Sequence, residues 1–400
     1  MADRLKRQRH IAIPWARPID HAIAQSLASQ GWRISLLDSH RYPTLDAQWR
    51  ELKRLIACER LDGIVATHDR AAPLQALLNP HTAPSLDAVI TTLDKVATRQ
   101  KLDPAPLAWA ALNPGELADA CHLATLLDSF PFPAILKPRL GWESQHIIKM
   151  ESLSELQRVG AQLQRLQPER LWPDGLVEAA YAESLGVGWI LEEWIDASHI
   201  VTVDGAIQQG EGQIWGISSN LYHEEHPLQL EGGLFPAPLT TAVREQLQQV
   251  FQYVVAQLSG LGFDQSFLNC EFLITAGGDI HLMEVNGRLP LILSPLYQAT
   301  MGSSHSLLAA AQLASGVTPC QPAAVTGVAG ILFLTMPVDG LVETVWPAAE
   351  LAEEGELLSI AQGEACAGER VGRWLITGER VEAITAQWRK KRDGVVDKSG

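Results

Sequence analysis

Positive charge is in short supply in this 400-residue sequence: 31 lysines and arginines against 46 aspartates and glutamates leave a formal net charge of −15. Nucleic acid and an anionic membrane each need a basic face, so neither is expected as a partner. A small anion needs only a local cluster and stays open. Cysteine is scarce as well. Cys58, Cys121, Cys270, Cys320 and Cys366 are scattered and form no C-x-x-C pair, which argues against a disulfide or zinc framework and for a reducing compartment. No apolar run approaches a membrane span, and the basic start MADRLKRQRHIAIPWARP holds too short an apolar stretch for a signal peptide. A cytoplasmic enzyme or binding protein is expected. Neither G-x-x-x-x-G-K-[ST] nor G-x-G-x-x-G occurs, so P-loop and dinucleotide chemistry are disfavoured.

What is present is an ordinary globular composition, 46% hydrophobic and 19% charged, long enough for two or three domains. His10–Pro14, Trp32–Leu37 and Asp62–Thr67 read as strands. Helical patterns at Asp20–Gln30, closed by Gly31, and at Thr44–Arg60 separate them, which predicts a small parallel sheet. Thr91–Leu102 reads as one helix, and Asn113-Pro114 caps and opens another. The run PAILKPRLGWESQHI (133–147) has the shape of a phosphate-cradling hairpin with few glycines. A helix follows from Ser152 to about Gln167. The 175–218 stretch is nearly all strand, with Asp204-Gly205 as a hairpin turn signal. Residues 219–238 read as a long polar loop that covers the site, in which His223 and His226 are solvated rather than metal ligands. Thr240–Gly260 is an amphipathic helix. Two strands joined by Ala276-Gly277-Gly278 come next, then short strands and turns, with a frayed RKKRDGVVDKSG at the end.

The sharpest constellation is NCEFLITAGGDIHLMEVNGR. Glu271 and Glu284 fall on the two strands of one hairpin, and Asn286 shares a face with Glu284 because strand side chains repeat every two residues. A lone strand glutamate is usually a solvated surface group. Two carboxylates and an amide oxygen flanked by apolar residues make a hard-oxygen set suited to Mg2+ on a polyphosphate. Arg288, just beyond, suits a phosphoryl group.

Together these stretches resemble the ATP-grasp ligases. The resemblance implies an α/β and α+β architecture: an N-terminal Rossmann-like pre-ATP-grasp domain (1–92), ATP-clasping subdomains at 93–190 and 191–318, and a small β-rich C-terminal region (319–400). EFLITAGGDIHLMEVNGR is similar to the family's metal hairpin, which assigns Glu271, Glu284 and Asn286 to the metal and Arg288 to catalysis, with Gly287 in place of the usual proline. LDKVATR resembles the D-K-x-x-x-R helix, so Lys95 is expected on ATP phosphates. Lys137 in ILKP matches a second phosphate lysine, with a catalytic part. ILEEWID resembles the adenine-binding hinge, which assigns Glu192, Glu193, Trp194 and Ile195. His199 stands where a ribose-binding glutamate is common. The loop keeps Ser144 for ATP but puts Glu143 and His146 where glycines are usual, leaving Glu143 to point away from the phosphates or be screened by Mg2+ or a basic neighbour such as Arg139.

The implied cofactors are ATP and one or two Mg2+ ions, or Mn2+. The implied partners are a small carboxylate and an amine, with a homodimer as the family's habit. The expected reaction forms an amide through an acyl-phosphate and releases ADP and phosphate, on amino acids or a small acid of a biosynthetic pathway. Two alternatives stay open: an ATP-grasp carboxylase using bicarbonate, as in biotin carboxylase, and a nucleotide-binding regulator without turnover.

Overall fold

The computed structural model describes residues 8–141, 146–163, 188–224, 226–302 and 306–399. Three strands open the chain: β1 (His10–Ala16), β2 (Arg33–Asp38) and β3 (Gly63–Ile64). They form a parallel sheet in the order β2-β1-β3. Every residue of β1 is buried, as expected of a central parallel strand covered on both faces. The helix Leu45–Glu59 is capped by Thr44, which accepts from the Ala47 N–H at 3.1 Å, and Leu52 and Leu55 pack with Ala12, Leu37 and Ile64.

Next come β4 (Trp109–Leu112), β5 (Ala134–Pro138), β6 (Ile148–Met150) and β7 (Trp189–Glu193), an antiparallel sheet in the order β4-β7-β5-β6. Leu112, Leu136, Trp189 and Leu191 form its core with Leu156 of the helix Leu153–Leu163.

The largest sheet begins with β8 (Ala197–Gln208), β9 (Glu211–Tyr222), β10 (Leu230–Phe235), β11 (Ser266–Thr275), β12 (Ile280–Asn286) and β13 (Val328–Thr335). The two-residue strands β14 (Gly340–Leu341) and β16 (Glu364–Ala365) pair with each other, while β15 (Glu356–Ile360) and β17 (Arg370–Gly378) complete the large sheet. Its order is β12-β11-β8-β9-β10-β13-β17-β15. The helix Thr241–Gly260 backs it, packing Leu247, Phe251, Val254 and Leu258 with Val203, Ile217 and Leu268.

Four expectations need correction. Asp204-Gly205 is not a turn. It lies inside β8, and Gly205 is needed there because a Cβ would come within 2.5 Å of the Phe251 ring. The turn is Gln209-Gly210, both with positive φ (56° and 78°), the backbone a two-residue hairpin demands. Residues 219–238 are not one long loop, since β9 and β10 occupy half of them and pair with a register shift. Thr91–Leu102 is not one helix. Helices Leu86–Leu93 and Lys95–Leu102 meet at Asp94, whose carboxylate accepts from the N–H groups of Val96 (3.0 Å) and Ala97 (3.4 Å). The C-terminal run is helical, Val381–Ser399. The expected strand at 175–179 falls outside the described residues.

Candidate active site

A cleft of about 630 Å3 opens where the four-stranded and eight-stranded sheets face each other. One wall is the β11–β12 hairpin. Its register sets Glu271 directly opposite Glu284 and Asn269 opposite Asn286, and the ladder slips one residue beyond Glu271. Burial, and then the charge of Glu284, raise the Glu271 carboxyl above the ordinary carboxylate range. A divalent cation would relieve that repulsion. Asn286 is oriented from behind: its amide nitrogen donates to Asn269 Oδ1 at 3.1 Å, which leaves its oxygen as the ligating atom. Asn269 donates in turn to Asp204 at 2.6 Å, and the Tyr297 hydroxyl donates to the other Asp204 oxygen. The donor set therefore fits Mg2+ or Mn2+. Among the described residues no group of three or more His, Cys, Asp or Glu is placed to hold a metal ion; two carboxylates and an amide are the candidate set.

The opposite wall carries the cations. The break at Asp94 sets Lys95 at the start of its helix, where Nζ lies 3.2 Å from Glu284 and donates to the Gly141 carbonyl at 3.1 Å. Lys137 on β5 and Glu192 on β7 are diagonal neighbours on one face, with Nζ to Oε2 at 2.6 Å. Arg99, the arginine of D-K-x-x-x-R, takes the other Glu192 oxygen at 2.6 Å and also donates to Asp103 and to the Leu282 and Met283 carbonyls. Burial alone would raise the Glu192 carboxyl, but Lys137 and Arg99 outweigh it and hold the group at about 2. Glu192 therefore fixes Lys137 and joins the two walls through Arg99.

The Glu193 carboxylate accepts from the Ala108 N–H at 3.0 Å, and the N–H groups of Glu193 and Trp194 go to the Ala108 and Pro133 carbonyls. Ile195 and the exposed His199 line the same end of the cleft. Arg139 pairs with Asp94, with Nε to Oδ1 at 2.7 Å. Glu143 and Ser144 lie outside the described residues. His146, at a position where glycines are usual, adopts φ +58°, the backbone glycine favours. The His223 and His226 rings pack 4.9 Å apart at the tip of the β9–β10 hairpin. His223, Pro227 and Leu228 line the cleft there.

Arg288 is held by a residue the sequence reading missed. Its Nε donates to Asp69 Oδ1 at 2.8 Å and its Nη2 to Oδ2 at 3.3 Å. Burial would raise the Asp69 carboxyl, yet Arg288 keeps it below its ordinary value. Asp69 follows β3, at the carboxyl end of a parallel strand where open α/β sheets bind ligands; that position was its only signal. His68 beside it is held neutral, its pKa lowered to about 3 by burial and by Arg17, Arg288 and Arg70, against the opposing pull of Asp69.

Residues 130–291 match the ATP-grasp domain family. A D-alanine–D-alanine ligase of Francisella philomiragia subsp. philomiragia is 25% identical over 297 residues, spanning 70% of this chain and 86% of the relative. An L-amino acid ligase from Bacillus licheniformis superposes with a TM-score of 0.77 at 14% identity, covering 97% of this chain and 98% of that one. A carboxyaminoimidazole ribonucleotide synthase from Aspergillus clavatus, complexed with ATP, gives 0.73 at 12% identity over 98% and 99%. At such identities the likeness is one of fold.

Proposed function

From the premise that this chain carries an ATP-grasp domain on an ATP-grasp fold, we propose that it is an ADP-forming ligase that joins a small carboxylate to an amine. The observation that carries this reading is the facing of Glu271, Glu284 and Asn286 on one wall by Lys95 and Lys137 on the other. Phosphoryl transfer needs charge neutralisation and alignment more than covalent help from the protein, and this cleft is built for that. Lys95 and Lys137 hold the ATP phosphates. Ile195 and its hinge neighbours receive adenine, with His199 toward the ribose. When bound on Glu271, Glu284 and Asn286, Mg2+ or Mn2+ supplies positive charge to the polyphosphate.

A substrate carboxylate oxygen attacks the γ-phosphorus and ADP leaves. Arg288, fixed by Asp69, neutralises the acyl-phosphate. The amine then adds to the carbonyl and gives up a proton, and the tetrahedral adduct collapses, expelling phosphate and leaving the amide. The names of two relatives, a D-alanine–D-alanine ligase and an L-amino acid ligase, support amino acids as substrates. Likeness to the carboxyaminoimidazole synthase supports a second reading, in which bicarbonate is the activated acid.

An ADP-release screen over amino-acid pairs and small acids, with and without bicarbonate and followed by product mass, tests both. Release that depends on acid plus amine supports the ligase. Release that needs only bicarbonate and amine supports the carboxylase. A chain that binds ADP but turns over nothing is a regulator.

A further inference from the structure

β10 carries two consecutive glycines, and both line the cleft. A glycine inside a strand weakens it, and marks a bulge, a close backbone or a bound ligand. Gly232 has its reason inside the protein: it follows the register shift with β9, and a Cβ there would come within 2.2 Å of the Ile331 carbonyl oxygen. Gly233 has neither reason. It lies beyond the shift, its φ is not positive, and a Cβ would meet Leu293 at 3.7 Å, Leu296 at 3.9 Å and the Ser219 carbonyl at 3.9 Å, all ordinary contacts. A ligand is the reason left.

The register says where that ligand lies. Glu271 pairs with Thr202, Thr202 bonds to Asn220, and Asn220 pairs with Gly233. The Asn220 amide also donates to Glu271 at 3.4 Å, so these residues share the cleft face. Gly233 is three strands from Glu271, about 14 Å. A phosphoryl group held at the hairpin does not extend that far, which leaves the place to the substrate. Its surroundings are apolar. Buried Ile331 pairs with Gly233, and half-buried Leu230, Ile292 and Leu293 line the cleft around it. Leu293 ends the short turn Leu291–Leu293, five residues after Arg288.

We propose that Gly233 is the floor of an apolar pocket, walled by Leu230, Ile292, Leu293 and Ile331, that receives the hydrocarbon side chain of an amino-acid substrate. Covering half-exposed apolar walls is favourable in proportion to the area removed from water, and the missing Cβ at 233 supplies the depth for a chain of leucine size. The assignment rests on the ligase reading for what the bound molecule does next. It narrows the substrates to pairs that include one large apolar amino acid.

Calorimetric titration of the full chain in saturating Mg·ADP tests it, with leucine, alanine, asparagine and phenylalanine as probes. The parent should bind leucine about tenfold or more tighter than alanine, which is smaller, and than asparagine, which is close in size but polar. Gly233→Ala adds one methyl group where the fold has room for it, so its urea midpoint should match or exceed the parent's. In that variant the preference for leucine over alanine should fall about tenfold. Leu293→Ala should act the other way and raise phenylalanine binding relative to leucine. A parent that binds leucine no more tightly than alanine or asparagine overturns the pocket, and so does a Gly233→Ala variant that keeps the parent's ratio. Binding of leucine with no release of ADP from ATP, whatever amine is added, would instead count against the ligase reading and leave the pocket standing.

Discussion

Arg288, just beyond the β11–β12 hairpin, is clasped by Asp69 across 219 residues of sequence, with Nε to Oδ1 at 2.8 Å. The pair ties the carboxyl end of β3 to the loop after β12, and the neighbouring Leu289 N–H donates to the Ala66 carbonyl at 3.0 Å. Asp69→Asn keeps the shape and removes the charge that holds the guanidinium in place. We expect kcat for ADP release to fall about 100-fold with a much smaller change in KM for ATP. Stopped assays over a range of ATP concentrations check this. An unchanged kcat would show that Arg288 takes no part in the transition state.

The facing of Glu271 and Glu284 predicts effects of opposite sign on stability and function. Glu271→Gln removes one charge of a repelling pair, so the metal-free protein should become more stable by about 1 kcal/mol. The same change should weaken Mn2+ binding about 10–100-fold. Deprotonation of Glu271 is needed for ligation, and its carboxyl is pushed up to about 7 by burial and Glu284. Parent Mn2+ affinity should therefore climb as pH rises from 5 to about 7 and then level off. Urea titrations without metal and Mn2+ paramagnetic resonance across pH give the two readouts. A Glu271→Gln variant that binds Mn2+ as tightly as the parent would remove the hairpin from the metal site.

Much of this hairpin was legible because its information is local. The two-residue strand period suffices to place Glu284 and Asn286 on one face, but a regular ladder from this turn would set Glu271 opposite Met283, and only the slip beyond Glu271 brings it opposite Glu284. Lys95 and Lys137 could be named from their motifs, but their partners could not. The Lys137–Glu192 diagonal exists only once β5 and β7 are neighbours, and 50 residues separate them in the chain. Asp69 and Asp204 depend on longer-range contacts still. Gly205 misled because Asp-Gly is a turn signal, whereas here the glycine makes room for Phe251. Asp94 could have been read as a helix cap, since Asp favours that position; the continuous apolar pattern around it concealed the break.

Glu192 is the anion between Lys137 and Arg99, and its side chain is only 3% exposed. Removing it strands two buried cations, so Glu192→Ala should cost about 3–5 kcal/mol in urea unfolding. Glu193 differs. Its carboxylate serves one backbone N–H, that of Ala108, and Glu193→Ala should cost only about 1 kcal/mol. Equal losses in the two variants would mean that the Lys137–Glu192–Arg99 chain carries no special weight in joining the walls.

Asp204 gives a test through pH. Burial pushes its carboxyl up to about 6, against the hydrogen bonds from Asn269 and Tyr297. An acid whose folded pKa is raised stabilises the fold below its unfolded value, near 3.8, and that contribution is lost as pH rises through 6. The loss is at most about 3 kcal/mol. Asp204→Asn removes the titration while still offering an oxygen to Asn269, and the Tyr297 hydroxyl can turn to accept from the new amide. The variant should therefore be more stable than the parent at pH 8, with the advantage fading toward pH 4. Its Mn2+ affinity should fall only modestly, because Asn269 still holds Asn286. Paired urea titrations at pH 4.5, 6 and 8 decide it. A stability difference that does not change with pH would mean that Asp204 is not the group titrating in that window.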